Sequence, residues 1–167
     1  VNVEQHRLLA KGICERVGSD DAFHKHGIDD NEVVIDVKMA DHDEAMALVL
    51  EALTSGPDKA IDSLSEIDAI GHRIVQGGKY FDRSVIIDDE VIAKIDELAE
   101  LAPLHNKAAL MGIHACQKHM PGVPMVAVFD SASFQSLPPK AYMYPLPYEL
   151  YEKYGIPGFA ADSLTDL

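Results

Sequence analysis

Apolar and polar positions alternate first with a period of two, and later with a period near 3.6. Leu8–Val17 predicts a strand, with Ile13 and Glu15 set around Cys14 and Arg16. Gly18-Ser19-Asp20-Asp21 is a turn. Glu32–Val37 is a second, β-branched strand. The acidic, Gly-containing stretch between the two reads as a hairpin connection. His24 and His26 flank Lys25 within it, so both are expected in a solvated loop rather than as a metal-binding pair.

Helical spacing begins after Ala40. Asp41 is a candidate N-cap with Glu44 three positions on, and Ala45, Leu48, Val49 and Ala52 share a face. Ser55-Gly56-Pro57 ends that helix. Ile67–Val75 predicts a buried strand with a polar end, Gln76-Gly77-Gly78 a turn, and Ser84–Ile87 a short strand. Asp88-Asp89-Glu90 opens a helix with Val91, Ile92, Ile95 and Leu98, which Pro103-Leu104-His105-Asn106 interrupts. A further helix runs from Lys107 to His119 and stops at Pro121-Gly122. Pro124–Asp130 is an almost wholly apolar strand ending in a carboxylate, a pattern typical of strands covered on both faces. The tail from Pro138 is rich in Pro and Tyr and reads as irregular.

Strands first, then helices alternating with strands, predict an α/β fold with a mixed sheet and flanking helices. Arg73 and Asp130 close two of the strands. In open α/β sheets that edge is where ligands bind.

Charge sharpens this picture. The 167 residues hold 28 acids and 14 bases, a net charge of −14, which repels nucleic acid and anionic membranes. No apolar run approaches the ~18 residues of a membrane span. The amino end, Val1-Asn2-Val3-Glu4-Gln5, lacks the pattern of a signal peptide. Cys14 and Cys116 lie far apart among apolar residues and are expected as buried free thiols, in keeping with a cytoplasmic protein.

Three residues could carry chemistry. Arg73, beside Gly71, Gly77 and Gly78, can approach an anion closely or form an ion pair with one of the many acids. His105 can donate to developing negative charge, or cap the following helix. Asp130 can hold Mg²⁺ directly or through water, or cap the segment after it. A Gly-x-Ser-x-Gly elbow and a Gly-x-x-x-x-Gly-Lys-Ser/Thr loop are both absent from the sequence.

Four stretches in order, Gly71–Gly78, Leu101–Asn106, Pro121–Asp130 and Leu146–Ile156, together resemble the acetokinase family. The resemblance runs from about Leu9 to Ile156. It implies one incomplete domain of the two-domain fold shared with sugar kinases, actin and heat-shock ATPases: residues 1–156 as a partial amino-terminal domain, residues 157–167 as a divergent tail. It also implies transfer of the γ-phosphoryl of ATP to acetate, giving acetyl phosphate and ADP, with Mg²⁺ as cofactor and a homodimer as the intact form. By the same resemblance Arg73 binds the acetate carboxylate and the transferring phosphoryl. Val75 and Leu104 line the methyl pocket, His105 donates to phosphoryl oxygens, and Asp130 serves the Mg²⁺ side.

The sequence also departs from the family pattern. The family's Ser-rich phosphate loop, its second site arginine and its nucleotide-binding domain are not within these residues. Gln76 stands in place of the usual His, Ser133-Phe134 replace Phe-His, and Ala160 stands where an active-site His is expected. The expectation is that this chain alone does not turn over, with ATP and Mg²⁺ expected for the intact enzyme and neither assigned to this chain by itself. Two other readings stay open: a non-catalytic copy acting as an interaction protein, and part of a kinase for another short-chain acid such as propionate.

Overall fold

A computed structural model describes residues 1–28, 31–56, 59–100 and 102–134, together with Pro147 and Glu149. The expected irregular tail, most of the Leu146–Ile156 stretch and Ala160 lie outside the described residues. The chain divides into two units, Val1–Asp68 with His114–Gly122, and Ala69–Ile113 with Val123–Leu167.

The first unit holds a three-stranded antiparallel meander: β1 (Lys11–Glu15), β2 (Phe23–Ile28) and β3 (Asn31–Asp36), in that order. The stretch expected as a hairpin connection is therefore the central strand. Cys14 pairs with His24 and His24 with Ile35, so three residues share one row of one face. His24 is buried within it, not solvated. Phe-His-Lys-His-Gly-Ile offers little β-branched signal, and hydrogen bonding to both neighbours decides its conformation.

Helix α1 (His42–Thr54) begins as the sequence predicts. The Asp41 carboxylate accepts from the Asp43 and Glu44 amides at 2.9 and 3.0 Å, and Glu44 reaches back to the Ala40 amide rather than that of Asp41. Ala22, Met39 and Ala45 form the buried cluster beneath the sheet, with Cys14, Val17, Val37 and Leu48 around it.

His24 gives this unit a pH dependence. Burial, and secondarily the neighbouring His26, hold its pKa below the usual 6.5. The folded state keeps the imidazole neutral, whereas the unfolded chain takes up a proton more readily. Stability is thus fully present above about pH 6.5 and declines as pH falls through the lowered folded value. The urea midpoint of this unit is expected to be lower at about pH 5 than at about pH 7.5, and His24→Gln to flatten the difference.

The second unit is built on a mixed sheet of order β4-β6-β5, with β4 (Ile70–Ile74), β5 (Val85–Ile86) and β6 (Met125–Phe129). β4 and β6 are parallel, with Ile70 opposite Met125 and Ile74 opposite Phe129. β6 is central but covered on one face only. Met125, Ala127 and Phe129 are buried, whereas Val128 is 47% exposed, so its apolar run does not mark two buried faces. The mixed sheet is real, but it is one of two sheets rather than the whole. Helix α2 (Asp89–Glu97) is capped by the Asp88 carboxylate on the Val91 amide at 2.9 Å.

Helix α3 spans Pro103–His119. It starts four residues before the expected Lys107. Proline at the first helical position needs no amide partner and has the right φ, so Pro103 opens the helix rather than breaking it. Its last residues belong to the first unit, where Lys118 and His119 both engage Asp43. Among the described residues no helix is long and apolar enough to cross a membrane.

Candidate functional site

The parallel pairing of β4 and β6 brings together two residues 57 positions apart in sequence. The Arg73 Nε donates to both Asp130 carboxylate oxygens at 3.0 Å, and an Nη lies 2.7 Å from Oδ2. Arg73 lies opposite Val128, on the open face of the sheet, and its side chain is 71% exposed, against 17% for Asp130. An ion pair this wet is worth roughly 0–1 kcal/mol, too little to be the fold's reason for keeping it. Asp130 begins the 3-10 turn that follows β6.

Two glycines let the loop after β4 lie close to the core. A Cβ on Gly77 would sit 3.0 Å from the Phe129 ring. One on Gly78, at φ +54, would sit 2.4 Å from a Leu98 methyl. Val75, at the head of this loop, is half-buried.

Below the loop is a buried polar clasp that the residue types alone do not reveal. The Asn106 side chain accepts from the Gln76 amide at 3.2 Å and donates to the Gln76 carbonyl at 3.0 Å. The Ser131 hydroxyl accepts from the Gly77 amide at 2.8 Å, and the Gln76 side chain accepts from the Gly78 amide at 2.9 Å. Gln76, Asn106 and Ser131 are all buried, Asn106 completely. The clasp thus joins three pieces of chain: the loop after Arg73, the first turn of α3, and the turn after Asp130. A signal for it was available. Asn106, Leu110 and Ile113 fall at i, i+4 and i+7, so an amide occupies a core position of an apolar helix face.

His105 and Leu104 sit in the first turn of α3, not in a loop. His105 is exposed and Leu104 is 83% exposed. No hydrogen bond joins His105 to Arg73 or Asp130 among the described residues. The structure therefore brings Arg73 and Asp130 into contact. It ties the turn bearing Leu104 and His105 to the same loop through Asn106. Among the described residues no group of three or more His, Cys, Asp or Glu side chains could hold a metal ion.

Known proteins share this arrangement of chain. The chain is 52% identical over 157 residues to an acetate kinase of Caldanaerobacter subterraneus subsp. tengcongensis, covering 93% of this chain and 39% of that protein. Its fold matches the crystal structure of Porphyromonas gingivalis acetate kinase with a TM-score of 0.87 and 40% identity, over 94% of this chain and 40% of the other. It matches a propionate kinase from Francisella tularensis with a TM-score of 0.84 and 32% identity, over 96% of this chain and 40% of the other. The chain thus spans about two-fifths of the length of these relatives. The family signature itself matches residues 1–163, nearly end to end, and on that match the chain belongs to the acetokinase family.

Proposed function

We propose that this chain supplies the acid-binding part of an acetate kinase, which moves the γ-phosphoryl of ATP to the carboxylate of acetate. The observation that carries the reading is the Arg73–Asp130 pair at the carboxyl ends of two parallel strands, in a chain of the acetokinase family. A carboxylate acceptor is already ionised at pH 7, so no general base is needed. Catalysis then consists of positioning the acceptor and neutralising the phosphoryl oxygens.

In this reading Arg73 swings from Asp130 to the acceptor carboxylate and the transferring phosphoryl, an exchange that its exposure makes inexpensive. His105 donates a hydrogen bond to a phosphoryl oxygen. Val75 and Leu104 contact the methyl group. Leu104 is 83% exposed and so is open to a ligand. Asp130 suits Mg²⁺, which takes one or two carboxylates together with nucleotide phosphates and water. When bound, the ion neutralises phosphate charge. Asp130 itself holds the guanidinium on the correct side of the loop until substrate arrives.

A propionate kinase is the second reading, favoured by the likeness to the Francisella structure. One methylene in an apolar pocket is worth only about 1–3 kcal/mol, so Val75 and Leu104 do not decide between the acids.

The test is a chimera in which the 157-residue matched segment replaces its counterpart in the Caldanaerobacter enzyme. With ATP, Mg²⁺ and acetate it is expected to form acetyl phosphate, trapped as the hydroxamate, while the isolated 167-residue chain forms none above background. A folded but inert chimera would mark the chain as a non-catalytic copy. A higher kcat/KM for propionate than for acetate would select the second reading.

A further inference from the structure

The first unit contains a cavity that the proposed phosphotransfer does not use. Strand β2 places His24 and His26 two positions apart, hence on the same face of the meander. Their rings stack with centroids 5.0 Å apart and planes inclined by 25°. Both rings line a cavity of about 480 Å³, walled by Val33 and Ile35 of β3 and by Leu48 and Glu51 of α1. It lies where the sheet and the last turns of α1 diverge.

We propose that His24 and His26 form a bidentate site for a borderline divalent transition-metal ion such as Zn²⁺, Ni²⁺ or Cu²⁺. Four observations lead there. The first is that the Nδ1 of His26 is buried with no hydrogen-bond partner among the described residues, beside the ring of a His24 that is only 4% exposed. Leaving such groups unmatched costs free energy that a ligand accepting the lone pairs would recover. The second is spacing: ring centroids 5.0 Å apart on one face of β2 lie within reach of a single ion at Zn–N bonds of about 2.0–2.1 Å.

The third observation is the sign of the local field. Glu51 lines the cavity, and α1 ends beside it at Ser55, with the negative end of the helix dipole. Lys25, the nearest base in sequence, lies on the opposite face of the sheet and pairs with Glu32 at 2.6 Å. The cavity therefore favours a cation. The fourth is ligand type. Imidazole selects Zn²⁺, Ni²⁺ and Cu²⁺, whereas Mg²⁺ seeks oxygen. Among the described residues no third side chain joins the two rings as a ligand, so water completes the shell, and the cavity has room for it.

The experiment titrates the tag-free chain separately with Zn²⁺, Ni²⁺, Cu²⁺ and Mg²⁺ by calorimetry, with imidazole proton spectra recorded alongside. One equivalent of Ni²⁺ is expected to broaden the His24 and His26 resonances before those of the other six histidines. Affinity is expected to follow the order Ni²⁺ < Cu²⁺ > Zn²⁺, with no heat from Mg²⁺. His26→Gln is expected to weaken Zn²⁺ binding at least about tenfold. Binding that survives His26→Gln, or broadening centred on other histidines, overturns the proposal. Should that variant unfold, the order of broadening in the unaltered chain still decides. The Mg²⁺ arm separates this site from the phosphotransfer reading, which stands or falls without it.

Discussion

Replacing Arg73 by alanine in the chimeric kinase is expected to lower kcat/KM for acetate by about a thousandfold. Loss of a preorganised donor to transition-state charge typically costs 10²–10³, and an arginine aimed at a transferring phosphoryl about 10³–10⁵. Arg73→Lys is expected to restore little, because an ammonium cannot offer the planar fork that the Asp130 contacts display. The folded state should barely notice the change. The guanidinium is 71% exposed, so its ion pair contributes at most about 1 kcal/mol. This split between activity and stability is the diagnostic. Steady-state kinetics and a urea melt on the same sample check it. An activity loss below tenfold, or a stability loss that tracks the activity loss, would assign Arg73 a structural role.

Asn106→Ala is expected to do the reverse and strike the fold first. Its side chain satisfies both the amide and the carbonyl of Gln76, and it is completely buried. Truncation leaves two backbone groups without partners in a place water does not reach. Each such group costs about 1–3 kcal/mol, so a total loss of about 3 kcal/mol is a fair expectation. For a chain of this size that lowers the melting temperature by about 6–12 °C. Ser131→Ala, which strands only the Gly77 amide, should cost less. Differential scanning calorimetry of the three proteins checks the ranking. Equal melting temperatures for Asn106→Ala and the unaltered chain would show that the clasp is not what holds the loop after β4.

The contrast between these two residues shows what could be read from sequence. Arg73, Val75, Leu104, His105 and Asp130 stood out because each lies in a stretch resembling the acetokinase family, and that membership holds. The caps at Asp41 and Asp88 were legible because capping is local chemistry, a carboxylate beside free amides. Strand β2 was not, because Phe23–Ile28 becomes a strand only when β1 and β3 hydrogen-bond to it from both sides. The start of α3 was misplaced because proline breaks a helix in its interior but suits its first position, and only the boundary distinguishes the two. The exposure of Val128 was invisible because an apolar run looks the same whether one face or two will be covered. Asn106 offered a signal, an amide in a row of core positions, but its partner is a backbone 30 residues away.

The pairing of β4 with β6 also fixes an order of events. The meander of β1, β2 and β3 closes through contacts between near neighbours in the chain. Arg73 meets Asp130 only after a loop spanning 57 positions has been closed. Loop-closure entropy must be spent before such distant contacts return anything, so nonlocal parallel pairing forms slowly. During synthesis β4 emerges long before its partner strand and waits with its backbone unpaired on that side. The meander of the first unit can form while the anion-facing edge of the second does not yet exist. A growing polypeptide of this kind carries its incomplete sheet past the ribosome exit, and that interval is when it is most open to misassociation and to chaperones.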